Sequence, residues 1–403
     1  MLRLALRNIL RQRTRTAITV AAIAFGVMGL VLSGGFIRDV FFQLGEALIH
    51  SQSGHLQLSR KGFFEAGTRS PEKFLLAQVE PALETIRALP QVEDAMSRVS
   101  FSGLLSNGRR DLAIVGEGVE PDREAKLGSF LSITAGRQLT DGDTAGILIG
   151  AGVAQSLALK PGDPVTLLVS SAGGALNSMD LSVVGVFQSF SQDFDARAVR
   201  LSISAAHELL DHTDANTIVV SLKSTAMTDD AAAALRARFD AAEYEVKTWQ
   251  ELNDFYEKTV DLYRSQFGAL RLIVLILVLL SVANAINMNA FERVGEFGTM
   301  MALGNKRASV FRQVVLEATL LGGIAAGLGV VSAVAVAAAI ATVGIPMPPP
   351  PNANMGYLAN VRIVPTEVAG AFAIGLAATV LASIFPAWRV CRVPIAAALR
   401  ESA

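Results

Sequence analysis

The chain has 403 residues, of which 51% are apolar and only 18% charged, too apolar for an ordinary soluble enzyme and not apolar enough for a compact polytopic carrier. This is the composition of a membrane protein with a large aqueous portion. A net charge of −1 excludes a general nucleic-acid binder, which carries a basic excess, and the lone Cys391 excludes a disulfide framework or a multi-cysteine metal site.

Residues 1–16 form the expected N-terminus and carry Arg3, Arg7, Arg11, Arg13 and Arg15 with no acid. The apolar run 17–37 that follows would be roughly 31 Å long as a helix, about one hydrocarbon thickness. A cleaved signal peptide is the rival reading, since Ser33, Gly34 and Gly35 supply small residues, but the run exceeds the signal core of about 7 to 15 residues. The arginines place the N-terminus in the cytoplasm by the positive-inside rule. Phe36, Val40, Leu44 and Leu48 continue the helix at four-residue spacing and predict a stalk projecting outward.

Residues 38–265 are expected to form a periplasmic domain carried on stalk helices, since from about His50 to Tyr263 no segment is apolar enough to span. Its outer pieces, 50–102 and 214–248, each read strand, helix, strand: extended at 54–60 and 92–102 around a helix at 72–89, then extended at 216–223 and 244–248 around a helix at 229–242. Two such units flanking an insert, 103–213, predict a discontinuous α+β subdomain. Inside the insert, Gly150 and Gly152 precede a helix but Gln155 stands where a dinucleotide fingerprint needs its third glycine, which favours an ordinary tight turn over a phosphate loop. His207 and His212 flank Asp211. Their five-residue spacing does not share a helix face, so a solvated helix end is expected instead of a metal site.

The chain returns through Trp249, Leu252, Tyr256, Val260, Tyr263, Phe267 and Leu270, in steps of three or four, with Glu251, Asp254, Glu257 and Lys258 opposite. This predicts an unbroken lever, partner to the first stalk. A second span is expected over 266–288, with Arg271 snorkelling at the outer surface and Asn284, Asn287 and Asn289 bonding across helices or meeting interfacial water.

Residues 289–311 then interrupt the apolar pattern. Phe291, Val294, Phe297 and Met301 make a stripe for lipid or a partner, with Glu292 and Glu296 expected in the first turns of a short helix. Gly304 and Asn305 provide a left-handed stop. A plain connecting loop is the alternative. The third span, 312–343, contains the small-residue pair Gly323 and Gly327 and begins near Glu317, which must be interfacial or paired. Residues 344–365, with prolines at 348–351, are a stiff outer loop. A fourth span over 366–388 leads to a cytoplasmic tail, 389–403, with Arg389, Arg392 and Arg400 and with Cys391 open to thiol reagents once the membrane is breached.

The run from Glu296 to Gly304, EFGTMMALG, resembles the E-[IF]-G-x-x-x-A-L-G signature of the MacB/FtsX/LolC–LolE permeases, the type VII ABC transporters. Many members carry a basic residue where this chain has Met301. Residues 147–168 resemble the strand, helix, L-x-x-G-D, strand signature of that family's periplasmic insert. Residues 386–401 resemble its P-A-x-R…R…P…A-L-R ending, with the step from Arg392 to Pro394 one residue short.

The resemblance implies a membrane α-helical fold with four transmembrane helices and a large α+β periplasmic domain between helices 1 and 2, in the bacterial inner membrane with both termini cytoplasmic. It also implies a coupling helix that docks into a cytoplasmic ABC ATPase dimer, with Glu292, Glu296, Gly298, Met301, Leu303 and Gly304 as coupling residues. Leu44, Leu48, Trp249, Leu252, Tyr256 and Tyr263 would be the stalk residues. No Walker A sequence occurs in these residues, so no cofactor is expected here, ATP and Mg belonging to a separate ATPase.

The further expected partners are a second permease, as homodimer or heterodimer, membrane lipid, and a periplasmic lipoprotein carrier; nucleic acid, metal and catalytic residues are not expected. The function implied is that of a permease subunit extracting or exporting a lipoprotein or another hydrophobic envelope substrate by mechanotransmission. FtsX-like activation of a wall hydrolase and MacB-like efflux are the alternatives. A tethered periplasmic enzyme ranks last, because no nucleophile, base and orienter stand out.

Overall fold

The computed structural model describes residues 13–67, 71–76, 78–127, 131–171, 174–349, 353–354 and 356–394. The expectations for Arg3, Arg7, Arg11, Pro350, Pro351 and Arg400 lie outside the described residues. The chain divides into a membrane unit, residues 1–41, 260–345 and 358–403, and an α/β unit, residues 42–259 and 346–357.

Among the described residues, four helices are long and apolar enough to cross a membrane. They are Thr16–Ser53, Tyr256–Met288, Arg307–Val343 and Pro365–Val390, as expected of the fold class. The first, third and fourth pack closely because glycines remove side chains where they meet. A Cβ on Gly329 would lie 2.6 Å from the Ala24 carbonyl oxygen, one on Gly375 2.4 Å from Val27, and one on Gly322 2.8 Å from Thr379. Such close approach is how helices gain packing in a solvent as apolar as themselves. The pair singled out by spacing, Gly323 and Gly327, faces open space instead. In the second helix Leu270, Leu272 and Leu277 are exposed, while Val282 is buried. Arg271 does not snorkel alone: its guanidinium bonds Glu367 at 3.1 Å. Asn284 is exposed, and Asn287 Oδ1 is buried without a partner among the described residues.

The α/β unit contains β1 (Leu56–Arg60), β2 (Val92–Ser106), β3 (Asp111–Val119), β4 (Ser132–Gly136), β5 (Gly146–Gly150), β6 (Pro164–Ser170), β7 (Leu176–Gln188), β8 (Ala198–Ser202), β9 (Thr217–Leu222) and β10 (Tyr244–Thr248). Their order is β10-β1-β9-β2-β3-β8-β5-β7-β4, with β6 pairing β2 and β7. The two outer sequence pieces thus make one antiparallel set, β10-β1-β9-β2. Val79–Arg87 and Thr228–Arg238 contribute Leu83, Ile86, Ala231 and Leu235 to the core they share with Leu58 and Ile218. β2 serves both parts: residues 92–98 pair with β9, and residues 99–106 pair with β3.

Two expected helices are shorter in the structure. The first begins at Val79, not 72, because Pro81 is tolerated only in a helix's first turn and because the Leu76 N–H donates to the Ala215 carbonyl. The second ends at Arg238, not 242, where Phe239 turns extended and meets the Tyr244 ring at 5.5 Å.

The turn at Gly150 and Gly152 is a packing device. A Cβ on either would strike the backbone of residues 195–196, at 2.3 and 2.6 Å. The helix end expected at His207 and His212 is solvated only in part: Asp211 and Thr213 are exposed, while the two histidines are half-buried. Asp211 takes φ 56, folding the chain back so that the two rings lie 6.3 Å apart, and His207 Nε2 and His212 Nδ1 are both buried without hydrogen-bond partners among the described residues. No third ligand joins them: among the described residues no group of three or more His, Cys, Asp or Glu is placed to hold a metal.

Beneath β2, β3 and β8 lies a buried charge network. Glu124 accepts from Arg98 at 2.5 Å and lies 3.1 Å from Arg200, while Glu117 lies 3.0 Å from Arg200 and 3.8 Å from Arg98. Two acids and two bases cancel, the condition under which charge survives burial.

Candidate functional site: the segment between the second and third membrane helices

The second membrane helix ends at Glu292 because Arg293 leaves helical geometry at φ −101 and ψ 11. A new helix, Val294–Ala302, follows. Gly304, at φ 95, closes it: its N–H donates to Met301 O and the Asn305 N–H to Met300 O, both at 3.1 Å. A positive φ of this kind suits glycine. Glu292 therefore does not sit in the first turn, as expected, but at the end of the preceding helix. Glu296 is the acid at the start of the short one.

The apolar stripe is not open to lipid or a partner. Val294, Phe297 and Met301 are buried against Val310 and Val314 of the third helix and Ala387, Val390 and Cys391 of the fourth, and only Phe291 stays outside, 40% exposed. Met301, 8% exposed, and Gly298, also buried, are thereby moved from contact residues to residues that seat the helix. Cys391 is likewise buried, its Sγ 3.6 Å from the Arg307 carbonyl oxygen, which corrects the expectation of a readily labelled thiol. Burial pushes its pKa up.

What remains outward is Leu303, 81% exposed, with Glu292, Gly304, Lys306 and Arg307, and Glu296, whose side chain is 48% exposed. An apolar knob ringed by charges of both signs suits a protein contact.

Sequence reading did not single out Arg293. Its Nη1 bonds Glu317 at 2.6 Å, its Nε bonds Glu296 at 2.9 Å, and its guanidinium lies 5.1 Å from the Phe297 ring centroid. It ties the short helix to the third membrane helix and answers whether Glu317 is paired. The signal was present: an acid at a membrane edge calls for a cation.

The stalk residues separate into two groups. Leu44 and Leu48 lie on the first helix, packed by Phe190 and Ala353. Trp249 and Leu252, expected on an unbroken lever, precede the helix, which starts at Asp254. They belong to a turn closing β10: the Trp249 N–H donates to His55 O and the Leu252 N–H to Thr248 O, each at 3.0 Å. Trp249 lies over Gly45, where a Cβ would come within 2.6 Å of the indole, so the stalk roots touch. Tyr256 packs its ring 4.7 Å from Trp249, and Tyr263, in the membrane unit, lies 6.2 Å from both Phe41 and Phe267.

The root of the first stalk holds a polar network. Glu46 accepts from Thr225 Oγ1 at 2.5 Å and lies 3.3 Å from His50 Nε2. His55 Nδ1 accepts the Leu222 N–H, and its Nε2 meets Thr225 Oγ1, both at 3.2 Å. Its bond to Glu46 raises the His50 pKa, and the bond to His50 lowers that of Glu46. Burial drives the His55 pKa down to about 4.

The signs differ. The His50 contribution is present below its ordinary pKa and lost as pH rises through its raised folded value. The Glu46 contribution is lost as pH falls through its lowered one. The His55 contribution is present above 6.5 and lost as pH falls towards about 4, on the order of 3 kcal/mol. Trp249 fluorescence, in a Trp388→Phe background, should show the α/β unit losing thermal stability across that interval. His55→Gln should flatten the slope; an unchanged slope would mean that another group governs it.

Residues 16–238 match the family model described as the MacB-like periplasmic core domain, and residues 268–395 match the FtsX-like permease C-terminal model. The macrolide export ATP-binding/permease protein MacB of Hyphomonas neptunium is 23% identical over 423 aligned residues, covering 99% of this chain and 60% of the relative. That of Campylobacter jejuni is 25% identical over 356, covering 82% and 52%. The chain thus spans a little over half the length of these curated relatives. Among solved structures, the periplasmic region of MacB from Actinobacillus actinomycetemcomitans aligns over 53% of this chain and 95% of its own at 15% identity and a TM-score of 0.38.

Proposed function

The chain belongs to the family of FtsX-like permeases with a MacB-like periplasmic core domain, and on that premise we propose that it is the permease of an ABC transport complex in a bacterial inner membrane, with both termini in the cytoplasm. ATP and Mg are bound by a partner outside these 403 residues. The segment around Val294–Ala302 receives that partner's movement, and the two stalk helices pass it to the α/β unit, which faces the periplasm. The substrate is a lipoprotein or another hydrophobic envelope molecule, and a second permease completes the complex. The relatives' names, which join ATP binding to export, support the coupling to ATP. The observation that carries the reading is a single helix, Asp254–Glu292, that begins in the α/β unit and ends at the Arg293 break.

The docking face can be separated from the seating face. Leu303→Asp changes a side chain that is 81% exposed and should leave the chain folded while lowering co-purified ATPase about tenfold or more, the loss of roughly 1.4 kcal/mol or more of contact energy. Met301→Ala, by contrast, removes a buried side chain and should lower stability by roughly 2 to 5 kcal/mol. Undiminished ATPase recovery with Leu303→Asp would show that the dock lies elsewhere.

A further inference from the structure

The membrane and α/β units are joined at four places in the chain, not two: at 41/42 and 259/260 through the stalks, and at 345/346 and 357/358 through the loop between the third and fourth membrane helices. Sequence reading gave that loop no task beyond connection.

Its tip is bonded into the α/β unit. The Asn354 N–H donates to Phe190 O at 3.1 Å, Ala353 forms an antiparallel bridge with Ser191, and Gln192 Nε2 donates to Ala353 O at 3.3 Å. The Asn354 amide also donates to Ser189 O at 3.4 Å and to the Asp195 carboxylate. Asp195 is 2% exposed, and both its oxygens accept the Ser189 N–H at 3.0 Å. Phe190 and Ala353 pack with Ala47, Leu44 and Leu48 of the first stalk. The returning limb is fastened within the membrane unit. The Asn360 N–H donates to Asp39 at 2.7 Å, the Arg362 N–H donates to Gly35 O at 3.2 Å, and Asp39 is itself 3% exposed.

A buried carboxylate is costly unless hydrogen bonds offset its lost hydration. Here one donor, the Ser189 N–H, comes from the turn at 189–195 and another, the Asn354 amide, from the loop, so the acid has both only when the two are together. We infer that Asp195 and Asn354 form a clasp through which the third and fourth membrane helices act on the α/β unit, a second line of drive beside the stalks. Asp195 is a positioning residue in this scheme, which rests on the permease reading given above. The clasp stays shut while the complex works, because opening it takes the Asn354 donor from a buried acid.

The test uses the full-length chain with its ATPase partner in nanodiscs, with and without MgATP and vanadate, read by amide hydrogen exchange. Without nucleotide, Asn354→Ala and Asp195→Ala should each raise exchange at residues 353–354 about tenfold, the loss of roughly one buried hydrogen bond, and leave β5 and β8 unchanged. With MgATP and vanadate, the wild type should change its exchange at residues 189–195 and at residues 42–48. Asn354→Ala should lose the first response and keep the second, which a merely structural contact would not do. Retention of the response at 189–195 in Asn354→Ala would overturn the clasp while leaving the permease reading intact. A wild type that responds nowhere would sink the permease reading, and the drive line with it.

Discussion

Glu317→Ala should lower the stability of the full-length chain by roughly 3 to 5 kcal/mol, because it leaves Arg293 as an uncompensated, nearly buried cation at the membrane edge. Both side chains are only 12% exposed and meet at 2.6 Å. Glu296 remains 2.9 Å from Arg293, but its own side chain is 48% exposed and so it neutralises a buried charge poorly. The short helix should consequently lose its fastening to the third membrane helix, and the ATPase should be lost from purified complexes although Leu303 is untouched. Replacing both partners, Arg293→Leu with Glu317→Leu, removes the stranded charge and should recover most of the thermal stability. It should not recover ATPase binding, since the tie between the short helix and the third membrane helix is still absent. A single Glu317→Ala variant with wild-type stability and full ATPase recovery would show that the pair positions nothing.

Much of this site was legible because it is local. The break between apolar runs, the left-handed stop at Gly304 and the acid at Glu296 are decided by residues near one another in sequence. What sequence could not tell was which side of a nine-residue helix, Val294–Ala302, faces inward. Periodicity identifies an apolar stripe without naming its partner, and part of that partner, Ala387 of the fourth membrane helix, lies far along the sequence.

The lever shows the same limit. Trp249 and Leu252 keep helical spacing, yet Trp249 is held by the His55 carbonyl, a contact made only once β1 pairs with β10. The outer strand-helix-strand units were readable from alternation and turns, but not that β2 would be shared by both parts of the sheet. Nothing in the loop after the third membrane helix suggested Asp195 as its partner, since the bond joins residues 159 positions apart.

The helix Asp254–Glu292 offers the sharpest test of transmission. Leu262 is 58% exposed, so Leu262→Pro removes little packing. Its effect comes from the lost N–H and from the clash of the proline ring with the preceding turn, a cost of about 3 kcal/mol or more that is relieved by kinking. Leu262→Ala keeps the backbone bond and is the control, close to neutral at an exposed helical site. With Leu262→Pro the ATPase should still bind, because Val294–Ala302 is seated by Arg293, Val310 and Val314, all remote in sequence from the kink. The nucleotide-driven change in amide exchange around Trp249 and Tyr256, whose rings meet at 4.7 Å, should disappear, and substrate release with it. The alanine control should retain both. If Leu262→Pro responded to MgATP and released substrate as the wild type does, continuity of this helix would be irrelevant to transmission, and the clasp at Asp195 would have to carry the movement alone.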